Sequence, residues 1–313
     1  MDNLTHSLAG WALGQAGLKT QTRKGLAALI LGANMPDIDV FFGWAPWLPL
    51  ATHRGFTHGL VGGVLVMPPL LFGLLWLLDR WQVGRCVRFK SGLAMRPAWL
   101  LALCYFGAVT HPLLDLLTTY SVQLLSPFSA AWYHADGLFI IDLWLWLLFG
   151  GTISWSKWRE KRGGDWRRPV QVALAAALAY IAANLLVTQG AYAAVRNWAG
   201  TRPVEAVFAS PPPFYSWRRD MVWRENGCYR RSHYDPLTGF GKVSDCQSAH
   251  MDDSIVRAAI ARDPRLQKFL RWSVMPQAEV ERGRCTAKVT IGDARYGEGR
   301  RSRLGRESTI RTC

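Results

Sequence analysis

Four mostly apolar runs, each about the 20 residues a spanning helix needs, restrict residues 1–199 to a helical fold embedded in a bilayer. A lipid-exposed backbone has no water to satisfy its polar groups, so it must bond within its own helix. The runs cover residues 59–78, 97–117, 138–155 and 170–195. Two shorter apolar stretches, 8–18 and 25–33, flank the polar hexamer Lys19, Thr20, Gln21, Thr22, Arg23, Lys24 and are too short to cross. They predict a hairpin of half-length helices. At 1.5 Å per residue, this hairpin puts His6 and Asp37 roughly 18 to 20 Å from its basic turn, at one depth.

Residues 200–313 are different in kind. They hold 21 of the 37 Lys and Arg and 13 of the 22 Asp and Glu, whereas the mean hydropathy of the whole chain is near neutral at +0.04. The expected fold is therefore an all-α membrane bundle of four spanning helices plus the N-terminal hairpin over 1–199. A small soluble α+β domain follows over 200–313. Residues 221–225 and 287–291 read as strands and 253–262 as a helix.

The formal charge of +15 does not point to nucleic acid. Basic residues of the membrane half crowd into two short loops, 79–96 and 156–169, where they act as topology signals that place those loops in the cytoplasm. Residues 118–137 carry no Lys or Arg and face outside, as does the tail. Anionic lipid headgroups are the partners that the tail's excess of basic residues suggests. The opening Met1-Asp2-Asn3-Leu4-Thr5-His6 has no basic leader or small-residue cleavage site, so a retained N-terminus is expected. Cys228, Cys246, Cys285 and Cys313 all lie in the tail, an even number in an oxidising compartment, with three pairings open. Cys86 and Cys104 are expected to be free.

Six of the nine acidic residues in 1–199 map to the outer level, namely Asp2, Asp37, Asp39, Asp115, Asp136 and Asp142. So do all five histidines of that half, His6, His53, His58, His111 and His134. Ionisable groups in a membrane domain are expensive, and their collection at one level requires a shared cause. His111 and Asp115 stand four apart on one helical face and can serve one metal ion. The Asn34-Met35-Pro36-Asp37-Ile38-Asp39 turn offers two carboxylates. His53-Arg54-Gly55-Phe56-Thr57-His58 adds two imidazoles and a guanidinium suited to gripping a phosphate.

Each motif alone has an ordinary reading. Asp37 and Asp39 can cap a helix, His111 and Asp115 can bond across helices, Arg54 can snorkel, and Asp142 can pair with Arg54. One shared cation explains most of them together.

In order, these motifs resemble the bacterial YdjM-type family of inner-membrane, metal-dependent hydrolases. The resemblance extends through Thr118-Thr119-Tyr120, Pro127-Phe128 and Phe139-Ile140-Ile141-Asp142, and to Ala209-Ser210-Pro211 and Asp293-Ala294-Arg295-Tyr296-Gly297 in the tail. Ser121 departs from the glycine that the family carries after its Thr-Thr-Tyr run. The family is similar to zinc-dependent phospholipase C and single-strand nucleases. The resemblance implies His6, Asp37, His53, His58, His111 and Asp115 as metal ligands, with Asp39 a weaker member of the set.

The expected activity is hydrolysis of a phosphoester, lipid or lipid-linked, at the outer face of the inner membrane. Asp39 or Asp37 would act as base and Arg54 would steady the phosphate. Zinc suits the histidines, and the carboxylates leave manganese or magnesium open. The alternatives are an ion- or proton-coupled transporter and a non-catalytic membrane protein with a structural metal.

Overall fold

The computed structural model describes residues 1–42, 54–297, 305–311 and 313. They form two compact units, one ending at Leu185 and the other running from Leu186 to Cys313.

The first unit opens on the expected hairpin. Asp2 caps α1 (Asn3–Gln15) by accepting from the Leu4 and Thr5 amides, which satisfies two donors that a helix start leaves unpaired. Gly17, at φ 132°, breaks the helix into a 3-10 turn, Leu18–Thr20, and α2 (Gly25–Asn34) returns. The chain then tightens into a 3-10 segment, Met35–Phe42. A π-helical turn, Leu60–Val66, leads into α3 (Met67–Gly84), followed by α4 (Pro97–Leu116), α5 (Leu143–Lys161) and α6 (Arg167–Ala199).

Among the described residues, three helices are long and apolar enough to cross a bilayer: Leu60–Gly84, Pro97–Leu116 and Arg167–Ala199. The run expected at 138–155 departs from this. Asp142 accepts from the Leu145 amide and starts α5 only at Leu143, so the four preceding apolar residues are loop. The helix then continues past Trp155 into the charged residues Lys157, Arg159, Glu160 and Lys161, which lower its apolarity.

The hairpin sits between two apolar clusters. Ala12 of α1 joins Leu145, Phe149 and Ile153 of α5 and Val170 and Ala177 of α6. Leu29 of α2 joins Leu71 and Leu75 of α3 and Leu100 and Leu103 of α4. Glycine permits the closest approach. A Cβ on Gly107 would lie 2.5 Å from the Leu29 carbonyl oxygen, so α2 and α4 meet backbone to backbone there.

The hairpin's basic turn is neutralised at the opposite end from Asp2. Lys19 donates to Glu160 at 2.6 Å, and Arg23 donates to buried Asp79 at 2.8 Å. These pairs account for two of the three acidic residues in the basic loops.

The second unit is β-rich. β1 (Ala206–Ser210), β2 (Arg219–Glu225), β3 (Cys228–Asp235) and β4 (Gly239–Phe240) form an antiparallel sheet in that order, and β5 (Gln247–Ser248) adds to β3. Two short helices, α7 (Ser254–Arg262) and α8 (Pro264–Trp272), precede the second sheet. That sheet is β6 (Pro276–Arg282), β7 (Thr286–Asp293) and β8 (Arg306–Arg311). Of the three possible cysteine pairings, the structure has Cys228 with Cys246 and Cys285 with Cys313. Cys86 and Cys104 are free, as expected.

The tail motif Asp293-Ala294-Arg295-Tyr296-Gly297 has a structural use. The Asp293 carboxylate is fully buried and accepts from Arg295 Nε at 2.8 Å, Arg295 Nη2 at 2.9 Å and Ser273 Oγ at 2.7 Å. Burial pushes the carboxyl up, but the Arg295 charge and these hydrogen bonds outweigh it and hold Asp293 below the usual range. A depressed carboxyl stabilises the fold above its unfolded value of about 4, and that stability is lost as pH falls through the folded value. The tail of the full chain should therefore become protease-sensitive as pH is lowered from about 6 towards 3, and Asp293→Asn should flatten that dependence. An unchanged pH profile in the variant would remove Asp293 from this role.

Candidate metal centre

Four elements meet at the hairpin's open end. α1 brings His6, the segment after α2 brings Asp37, and α4 brings His111 and Asp115 one helical turn apart. The 3-10 turn Phe56–His58 brings His58, and Arg54 enters just before it. All six side chains are buried. His6 and Asp37 meet at one depth through His111. His6 stacks on it with ring centroids 3.8 Å apart, and Asp37 Oδ1 lies 3.4 Å from its Nε2.

The tautomers follow from the partners. A carbonyl oxygen can only accept, so His111 Nδ1, 2.7 Å from the Ala33 carbonyl, carries its proton. That leaves the Nε2 lone pair directed at carboxylate oxygens of Asp37 and Asp115, both 3.4 Å away, and Nε2 makes no hydrogen bond. Both nitrogens of His58 have partners. Thr57 Oγ1 donates to Asp39 Oδ2 at 2.7 Å and is hydrogen-bonded to His58 Nδ1 at 3.0 Å. His58 Nε2 is hydrogen-bonded to Asp37 Oδ1 at 3.1 Å and lies 3.4 Å from Asp115 Oδ2.

A lone pair set against a carboxylate is repulsive unless a cation lies between them. Among the described residues neither nitrogen of buried His6 has a hydrogen-bond partner, and its Nε2 lies 3.6 Å from Asp115 Oδ1. Two sets of ligand atoms result, His6–His111–Asp115 and Asp37–His58–His111. Such a mixed imidazole and carboxylate set is the donor chemistry that binds a divalent ion, so these residues fit one.

Arg54 completes the cluster on the Asp115 side. Its Nη2 is 3.3 Å from Asp115 Oδ1, its Nη1 donates to Thr118 Oγ1 at 3.4 Å, and its guanidinium lies 5.3 Å from the Tyr120 ring centre. Thr118 Oγ1 in turn donates to the Asp115 carbonyl at 2.9 Å. The Met1 amine also meets Asp115 Oδ1. Ser121, after the Thr-Thr-Tyr run, adopts φ 65°, a left-handed conformation in which glycine meets no Cβ strain.

The remaining outer-level residues have other partners. Asp39 is in neither ligand set and reaches the site through Thr57. Asp142 caps α5 and accepts from Tyr180 at 3.0 Å. His134 pairs with Asp136 at 2.9 Å in the loop between α4 and α5. His53 lies outside the described residues. Thr57 and Ala33, which orient the two histidines, were not singled out from the sequence. The Thr57-His58 dipeptide was the available signal for the first. Nothing in the sequence marks a backbone carbonyl such as that of Ala33.

Membrane-length helices that bury a histidine and aspartate cluster at one end of a hairpin define a polytopic membrane protein with a candidate metal centre. The chain belongs to the YdjM inner membrane protein family, whose model matches residues 1–191. Comparisons with curated proteins and with solved structures give no match. The protein is thus an inner-membrane protein, and its two tail disulfides fit an extracytoplasmic location for that domain.

Proposed function

We propose that this protein is a membrane-bound, metal-dependent hydrolase acting on a lipid or lipid-linked phosphoester at the outer face of the inner membrane. One observation carries the reading: the Nε2 atoms of His58 and His111 converge on the carboxylates of Asp37 and Asp115 in a buried space. His6, Asp37, His58, His111 and Asp115 would hold the metal, with zinc the first expectation and manganese or magnesium next. When bound, a divalent ion supplies Lewis acidity and charge neutralisation at a phosphoryl group.

The chain's own residues do the rest. Ala33 fixes His111 in the tautomer that presents Nε2, and Thr57 orients the His58 ring through Nδ1. Asp39 acts through Thr57 as a positioning residue for His58, and Asp37 is the carboxylate left to take up a proton. Arg54, anchored by Asp115 and Thr118, supplies a guanidinium for a phosphate oxygen. In the same proposal α5 crosses the bilayer as a fourth span, with its charged end in the cytoplasm. Residues 1–199 then form the membrane domain and 200–313 the outer one.

The apolar clusters between the polar ends, built on Leu29, Leu100, Leu103, Leu145 and Phe149, favour this reading over a transport path. The hydrolase reading is tested on detergent-purified full chain by measuring bound metal and the cleavage of phospholipid and of generic phosphoesters. Wild type should carry at least one equivalent and cleave. His111→Ala and Asp37→Ala should lose metal together with turnover. Less than one equivalent in wild type overturns the proposal, and bound metal without cleavage of any ester replaces it with a structural site.

A further inference from the structure

We infer that one end of the first tail sheet is a membrane-docking tip that seats in the outer lipid headgroup layer. The antiparallel register brings two turns to the same end. Ser210 pairs with Asp220 at the β1–β2 hairpin, and Arg219 pairs with Tyr234 where β3 runs out towards its turn with β4. The first turn holds Phe214, Tyr215 and Trp217, which are 62, 50 and 45% exposed, and the second holds Leu237, 91% exposed. Arg218 and Asp235 link the turns at 3.4 Å. Large apolar groups in such exposed positions normally mark a contact surface.

The long helix gives the level of this tip. From Arg168 to Thr188, α6 rises about 30 Å, the thickness of the hydrocarbon core. Arg168 belongs to the basic loop assigned to the cytoplasm, so Thr188 stands at the outer boundary. Arg219 Nε donates to Thr188 Oγ1 at 2.9 Å, whereas further along the same strand Trp223 packs on Trp198 at 5.3 Å and Glu225 pairs with Arg202 at 3.3 Å. β2 therefore runs beside α6 and away from the membrane, and the turns before β2 and after β3 point back to the boundary. Trp and Tyr favour that layer, because an apolar ring and a polar edge are both satisfied there. Phe214 and Leu237 would reach the acyl boundary, and Arg218 would lie among phosphates.

The test uses the full chain with Cys86→Ser, reconstituted in phosphatidylethanolamine and phosphatidylglycerol vesicles. An environment-sensitive dye is attached at Phe214→Cys, at Leu237→Cys or, as a control beyond the far end of α6, at Thr201→Cys. A lipid quencher placed near the headgroups should quench the first two at least about threefold more than the control. A second variant needs no added cysteine: in Phe214→Ser with Trp217→Ser and Leu237→Ser, the tail should become several times more protease-sensitive in vesicles but not in detergent. Equal quenching at all three sites overturns the proposal, as does equal proteolysis of wild type and triple variant in vesicles. In either case the tip serves a protein partner or nothing.

Discussion

Replacing Asp115 with asparagine should empty the metal centre and weaken the fold in one step. The carboxylate faces the Met1 amine, Arg54, His6, His58 and His111, and is buried with them. Asparagine keeps the shape and removes the charge. Metal affinity should fall by at least the roughly 100-fold that loss of a supporting partner brings, because here a ligand itself is lost. Arg54 would also lose one buried carboxylate partner, and thermal stability should fall with it. Metal content after dialysis and thermal unfolding in detergent measure the two effects. Asp136→Asn, which alters a buried aspartate paired with His134 outside both ligand sets, should retain metal. If Asp115→Asn holds as much metal as wild type, Asp115 is no ligand.

Gly107→Val should damage the same centre without touching a ligand. Its Cβ would meet the Leu29 carbonyl oxygen at 2.5 Å and the Ala33 amide nitrogen at 3.0 Å, and neither backbone atom can swing away. Overpacking of this kind typically destabilises by about 1 to 3 kcal/mol, and a backbone contact belongs at the upper end or beyond. The forced separation of α2 from α4 would also pull the Ala33 carbonyl from His111 Nδ1 one turn away. Folded yield and metal affinity should therefore fall together. Gly150→Ala is the opposite case, because a Cβ there meets nothing within 4 Å. Relief of glycine's excess entropy should leave that variant equal to wild type or more stable by about 0.5 to 1 kcal/mol. A Gly107→Val protein with wild-type stability would show that the helices can move apart freely.

Much of this arrangement is legible in the sequence, for identifiable reasons. Two apolar runs of half the spanning length around Lys19–Lys24 can bury themselves only as a hairpin, and that hairpin sets His6 and Asp37 at one depth. The i, i+4 spacing of His111 and Asp115 fixes their common face. Asp142 shows where such reading fails. The apolar run from 138 hides a helix start, because hydrophobicity carries no information about which residue caps; the aspartate inside the run was the signal. The Asp39–Thr57–His58 chain was out of reach, since it joins residues 18 apart through a hydroxyl whose direction only the fold sets. In the tail, the strand readings at 221–225 and 287–291 fall within β2 and β7, and the helix reading at 253–262 matches α7 with Asp253 as its cap. The pairing of four cysteines needed coordinates.

His111 belongs to both ligand sets, yet only one of its nitrogens is available. The Ala33 carbonyl occupies Nδ1, and a single lone pair can serve one ion at a time. The two sets are therefore either two faces of one seat or two seats in competition, and a second ion would have to settle without the shared imidazole. A metal bound here would accordingly be graded by one side chain: a first ion would have the full complement of ligands, and a second would have to do without His111.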